Sequence, residues 1–142
     1  MRIAFFGTPD FAVPSLDLLV ARGESVVAVV TQPDRPLGRS HSTLIPSPVK
    51  RRALDAGLEV LQPDRPAGDA FVATLTAARA DLGVVVAYGH ILKPVVLGIP
   101  RLLLGRELRQ NQYEGGIKNH HRYIEQRKMH GAHAQRYRYQ SS

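Results

Sequence analysis

MRIAFFGTPDFAVP, residues 1–14, is the stretch that decides the fold. Ile3, Ala4, Phe5 and Phe6 make a nearly continuous apolar run that stops at Gly7-Thr8-Pro9-Asp10. A strand with one wet face alternates polar and apolar residues. A run without alternation reads as a strand buried on both faces, the habit of parallel sheets. Gly7 permits a sharp backbone turn. Thr8 or Asp10 suits the cap of a following helix, and Pro9 suits its first turn. Phe11–Ala21 then carries apolar residues at Phe11, Val13, Leu16, Leu18, Leu19 and Val20. Strand, glycine turn and helix form the first unit of an α/β sheet, and such sheets bind ligands beyond the carboxyl ends of their strands. Gly7, Thr8, Pro9 and Asp10 are therefore the expected floor of a site.

The same grammar continues outward. Gly23 stands where a helix-ending glycine belongs, and Ser25–Thr31 is a second β-branched, apolar strand. Strand, helix and strand in this spacing predict a right-handed crossover. Val49–Ala56 reads as a helix stopped by Gly57, and Leu58–Gln62 as a third strand at a sheet edge, given its Glu59. Asp69 is placed to cap a helix over Ala70–Ala80, with Phe71, Leu75 and Ala78 on one face. Asp81–Ala87 is strongly apolar and hence a central fourth strand, with Tyr88-Gly89-His90 at its carboxyl end. Ile91–Leu97 begins a short helix and Gly98–Pro100 is a turn.

Composition bounds the possibilities. At 142 residues and 44% hydrophobic content the default is one soluble globular domain. There is no cysteine, which excludes disulfides, thiolate zinc sites and a cysteine nucleophile. Met1-Arg2 leads straight into the first strand, so no signal peptide is expected, and no run of eighteen apolar residues predicts a membrane span. A cytoplasmic protein is the expectation. The net charge of +7 is uneven: residues 1–105 carry +2 and residues 106–142 carry +5, together with four of the six histidines and four of the five tyrosines. From Arg106 onward no apolar period is sustained. Residues 103–142 are expected to be a basic, disordered tail, and residues 1–102 the folded part.

Chemistry-bearing residues gather in three places. Gly7-Thr8-Pro9-Asp10 lacks the glycine spacing of a dinucleotide fingerprint and of a phosphate-cradling loop, so no nucleotide cofactor is expected. Gln32–Pro48 holds four of the ten prolines, no apolar period, and Arg35, Gly38, Arg39 and His41. It reads as a long exposed loop with Gly38 turning its tip and with Lys50, Arg51 and Arg52 extending a basic cluster. Arginines on such an arm suit phosphate and base contacts, while a plain solvated charge run has the same composition. Tyr88, Gly89 and His90 lie where a ligand belongs. Tyr88 offers a face for a heteroaromatic ring and His90 a proton, or Tyr88 packs on the sheet and His90 faces water. His120, His121, His130 and His133 have no acidic or thiol partners nearby, and no metal is expected there.

Taken together, MRIAFFGTPDFAVPSLDLL, VVTQPDRPLGR, PSPVK and VVVAYGHIL followed by IPR resemble the methionyl-tRNA formyltransferase family, over Met1 to about Leu102. The resemblance implies the amino-terminal part of a formyl-transferase domain with a Rossmann-like, mostly parallel sheet and flanking helices, incomplete at its carboxy-terminal side. It implies transfer of a formyl group from 10-formyltetrahydrofolate to the amino group of initiator methionyl-tRNA, in translation initiation, by a monomer that uses no metal. Arg39 matches the arginine of the family's mobile loop that enters the tRNA acceptor end, with Arg35, Gly38 and His41 beside it. Tyr88, Gly89, His90, Ile91 and Leu92 match the segment lining the folate pterin pocket.

After Ile99-Pro100-Arg101 the sequence departs from the family. The Asn-x-His, Ser-Leu-Leu-Pro and later Asp that the resemblance calls for are not in register, and Asn119-His120-His121 lacks their flanks. Three readings follow. The chain is a formyltransferase by lineage with little activity, or a non-catalytic folate- or RNA-binding remnant, or an inert fragment whose fourth strand has an empty neighbour position.

Overall fold

β1, Arg2–Gly7, is paired along both edges and buried from Ile3 to Gly7. The computed structural model describes residues 1–39 and 42–106. β2 (Ser25–Val30) lies on one side of β1 and β6 (Leu82–Val86) on the other, both parallel to it. β5 (Val60–Leu61) extends the sheet beyond β2, and β7 (Leu102–Arg106) extends it beyond β6. The five-stranded sheet thus runs β5-β2-β1-β6-β7 with every pairing parallel.

Successive residues of β1 point to opposite faces, so each face receives one phenylalanine. Phe5 joins Ile3, Val29, Val84 and Val86 on the face covered by α1 (Val13–Ala21) and α2 (Pro48–Asp55), through Leu16, Val49 and Ala53. Phe6 serves the opposite face, where its ring meets Tyr88. Phe5 and Phe6 are 0% and 1% exposed, and a side chain of that size contributes about 1.5–3 kcal/mol over its exposed state. α3 (Asp69–Ala77) buries Phe71 and Leu75, as the sequence spacing requires. The short α4 (Pro94–Leu97) buries Val96 and Leu97.

Gly23 and Gly57 end α1 and α2 at φ +69 each. Caps differ from expectation. The 3₁₀ turn Asp10–Ala12 starts after Pro9 with no side-chain cap; the Thr8 hydroxyl turns instead to the Tyr88 carbonyl beyond β6. Asp69 is the first residue of α3, whose cap position is Gly68. α2 has a cap that was not expected: Ser47 Oγ accepts from Lys50 N at 3.0 Å.

Two further elements depart from the sequence reading. The long proline-rich loop contains an antiparallel hairpin, β3 (Arg35–Leu37) with β4 (Thr43–Ile45), and Gly38 at φ +71 begins its tip. Every residue of both strands is exposed, so no hydrophobic alternation marked them. β7 takes in residues 103–106, the start of the expected tail, and fills the place beside β6 expected to stand empty. Close approach makes this possible: a Cβ on Gly83 would lie 2.8 Å from Leu103 Cδ1 and 3.1 Å from Pro100 Cγ. Among the described residues β5 and β7 are the outer strands of the sheet, and Leu102 and Leu104 of β7 are exposed.

Gly7 is closely packed on three sides. A Cβ there would stand 2.8 Å from Phe5 Cε1, 2.9 Å from Ala12 Cβ and 3.0 Å from the Val86 carbonyl oxygen. Gly7→Ala is expected to destabilise the domain by about 1–3 kcal/mol through overpacking. Urea unfolding should show a lower midpoint at unchanged slope.

Candidate functional site

In a doubly wound sheet the ligand crevice opens where strand order reverses direction. Here the chain proceeds from β1 outward to β2 and β5, then returns to the other side of β1 for β6 and β7. That rule places the expected crevice beyond the carboxyl ends of β1 and β6. Gly7–Asp10 and Ala87–Leu92 are the segments that leave those ends.

The two strand ends are joined by side chains. Thr8 Oγ1 donates to the Tyr88 carbonyl oxygen at 2.7 Å and accepts from the Gln32 backbone N–H at 3.3 Å. Gln32 Nε2 donates to the same Tyr88 oxygen at 3.1 Å. Ala87 and Gly89 have φ of +48 and +86, which turns the chain sharply out of β6. At Ala87 the left-handed backbone costs of order 1–2 kcal/mol, and the paired Tyr88 carbonyl helps to hold it. Gly89 is required for space as well as for backbone angle, since a Cβ there would be 2.2 Å from Gln32 Nε2.

Tyr88 faces inward. It is 1% exposed, and its ring meets Phe6 edge to face at 5.8 Å and 75°. Of the two sequence readings for this ring, packing on the sheet is the one found, and its contribution to the crevice is its backbone carbonyl. Its hydroxyl is buried without a hydrogen-bond partner among the described residues, and burial pushes the phenol up to about 12. His90 is exposed with its ring 5.5 Å from that of Tyr88, Ile91 is exposed, and Leu92 is buried.

β2 delivers Thr31 and Gln32, both buried, into the same region. The Gln32 carbonyl oxygen accepts from Gln62 Nε2 at 3.1 Å, and Gln32 Oε1 accepts from Arg35 Nη2 at the base of the hairpin. Thr31 Oγ1 and Ser47 Oγ lie 2.6 Å apart, which ties β2 to the start of α2. Asp34 takes Lys50 Nζ at 2.7 and 2.9 Å and Gln62 Nε2 at 2.7 Å. The Lys50 hydrogen bond, then that from Gln62, holds the Asp34 carboxyl below the usual range.

The expected basic cluster is therefore divided. Arg35 and Arg39 belong to the exposed hairpin, whereas Lys50 and Arg52 sit on α2 and are paired with Asp34 and Asp17. His41 lies outside the described residues. Gln32, Ser47 and Gln62 were not singled out from the sequence. One signal could have found Gln32: it directly follows β2, at the same edge as Thr8 and Tyr88. Two shallow clefts of about 280 and 300 Å³ flank α3 instead, and neither is lined by Thr8, Gln32 or Tyr88. Convergent polar groups favour the crevice over these clefts. Among the described residues no cluster of His, Asp or Glu could hold a metal, and no helix is long and apolar enough to cross a membrane.

Residues 1–104, which hold all of this geometry, match the formyl transferase family. The chain belongs to that family. Methionyl-tRNA formyltransferase of Chloroflexus aggregans is 55% identical over 102 residues, covering 72% of this chain and 33% of the relative. Those of Parabacteroides distasonis and Lachnospira eligens are 52% and 50% identical, over 72% and 71% of this chain and 31% and 32% of their own length. The chain thus spans about a third of the length of these relatives. The strand-end segments and the hairpin lie within the shared stretch.

Two measurements test the electrostatics. A carboxylate held low in the folded state stabilises above its unfolded pKa, and the gain disappears as pH falls through the folded one. The stability difference between the native chain and Lys50→Met should therefore shrink as pH drops below about 4 in urea titrations. A phenol raised in the folded state works in the opposite sense, stabilising below its unfolded value. Tyr88→Phe should keep full stability at neutral pH, because no hydrogen bond is lost, and should reduce the loss of stability above about pH 10.

Proposed function

We propose that residues 1–106 are the substrate-holding part of a methionyl-tRNA formyltransferase. The reaction moves a formyl group from 10-formyltetrahydrofolate to the methionine amine of initiator methionyl-tRNA, in the translation initiation of a cytoplasm. The observation that carries this reading is the 50–55% identity across the stretch that builds the crevice and hairpin.

The chemistry suits a site without a protein nucleophile. The neutral methionine amine attacks the formyl carbon, and a tetrahedral oxyanion forms. The bond from that carbon to N10 of the folate breaks, the amine proton passes to the leaving nitrogen, and N-formylmethionyl-tRNA and tetrahydrofolate result. Holding donor and acceptor at one edge supplies much of the rate by proximity. In this reading Gly7, Thr8, Pro9 and Asp10 form the floor. Gly89, His90, Ile91 and Leu92 line the pterin side, with Tyr88 supporting them from below. Arg35 and Arg39 on the hairpin, with Gly38 at its tip and His41 beyond, meet the tRNA acceptor end. The unit acts as a monomer.

Oxyanion stabilisation needs donors aimed at the developing charge. The Asn-x-His and Asp that the resemblance assigns to this task are not in register within the 142 residues, and Asn119-His120-His121 lies outside the described residues. The chain is therefore proposed to hold substrates without turning them over. A formyl-transfer assay on the purified 142-residue chain should give no product above background, and clear turnover would overturn this. Initiator tRNA should bind with salt-dependent affinity, and Arg39→Ala should lower the slope of log K against log salt by about one. An unchanged slope would remove the hairpin from the RNA-binding reading.

A further inference from the structure

We infer that Gln32 is the positioning residue that ties the base of the hairpin to the turn after β6. One side-chain amide then sets both segments that the proposed function assigns to substrates, and the inference rests on that reading for its functional meaning. Gln32 meets four elements at once. Its backbone N–H reaches Thr8 after β1, its carbonyl oxygen receives Gln62 after β5, its Nε2 reaches the Tyr88 carbonyl after β6, and its Oε1 receives Arg35 of β3.

The chemistry of these partners leaves one orientation of the amide. A carbonyl oxygen only accepts, and a guanidinium only donates. Nε2 must therefore face Tyr88 and Oε1 must face Arg35. The reverse orientation would oppose two acceptors at one end and two donors at the other. Gly89 leaves the amide its space, since any Cβ there would overlap Nε2. Gln32 is 9% exposed and its bond to Tyr88 is buried, so water cannot substitute for that partner at low cost. A displacement of Arg35 by a bound phosphate would thus be felt at Tyr88, and through it at Gly89–Leu92.

Three variants separate the two ends of the tie. Gln32→Glu keeps an oxygen for Arg35 and places a second oxygen against the Tyr88 carbonyl. Gln32→Leu removes both bonds. Arg35→Ala, at an exposed position, removes only the hairpin end. In the isotopically labelled 142-residue chain, Gln32→Glu should shift the Tyr88 carbonyl carbon upfield and leave the Arg35 guanidinium signal ordered. Gln32→Leu should change both. Tetrahydrofolate affinity should fall roughly fivefold in each Gln32 variant, one hydrogen bond's worth.

A Tyr88 carbonyl signal unchanged in Gln32→Glu would overturn the inference. So would native tetrahydrofolate affinity in both Gln32 variants. A general loss of stability would broaden signals throughout β1, β2 and β6, whereas the tie moves only its two ends. If the Gln32 variants fail to fold, Arg35→Ala decides: the Gln32 side-chain amide and the Tyr88 carbonyl must both shift, and two unmoved signals reject the tie. A native chain that binds neither tetrahydrofolate nor tRNA would remove the proposed function and leave these spectroscopic outcomes standing.

Discussion

β1 carries two parallel ladders and two buried faces in six residues, and every other element takes its place from it. Pairing on both edges satisfies its backbone without water, which is what allows burial on both faces. Phe5 and Phe6 then serve opposite sides of the sheet. The cost of this crowding falls at Gly7, where the chain passes the Val86 carbonyl with no room for a side chain. The opening motif is thus a packing solution before it is a site. Its value to function is positional, because the same crowding forces Thr8 to the edge between β1 and β6.

At that edge the problem changes from apolar packing to polar satisfaction. An unmade hydrogen bond in a buried place costs about 1–3 kcal/mol, so Thr8, Gln32 and the Tyr88 carbonyl constrain one another strongly. The Tyr88 oxygen uses both lone pairs, one for Thr8 and one for Gln32. Such doubled acceptance suits a turn that passes through left-handed backbone at Ala87 and Gly89. The strain there is local, and the partners that hold it come from strands distant in sequence.

This division explains what could be read from the sequence. β1, β2 and β6 were legible because burial on both faces writes a continuous apolar run. α2 and α3 were legible through their spacing and through Gly57. The hairpin was not, because Arg35-Pro36-Leu37 and Thr43-Leu44-Ile45 are exposed throughout and only their mutual pairing defines them. β7 was missed for a related reason. Leu102-Leu103-Leu104 is short and adjoins a polar segment, and only the register with Leu82–Val86 makes it a strand. Within the site, the glycines and the positions of Thr8 and Tyr88 were legible as strand ends. Gln32 and Gln62 were not, since a partnered amide and a solvated one look alike in a loop. Tyr88 was ambiguous because an aromatic ring at a strand end suits the core and a ligand equally.

Charge in the folded part is placed rather than accumulated. The basic residues from Arg35 to Arg52 look like one cluster in sequence, but Asp34 and Asp17 engage Lys50 and Arg52 on α2. Those pairs fix α2 to its surroundings and lower the local field, and the half-exposed Arg52 pair adds little stability. Arg35 differs, because its partner is a neutral amide and its full charge remains at the hairpin base. Arg39 adds a second exposed charge beyond Gly38. An anion approaching this face would meet positive charge at the hairpin and, on α2, at the exposed Arg51. Recognition there would depend on the hairpin's geometry more than on the net charge of the domain, and that geometry is fixed at its root by Gln32.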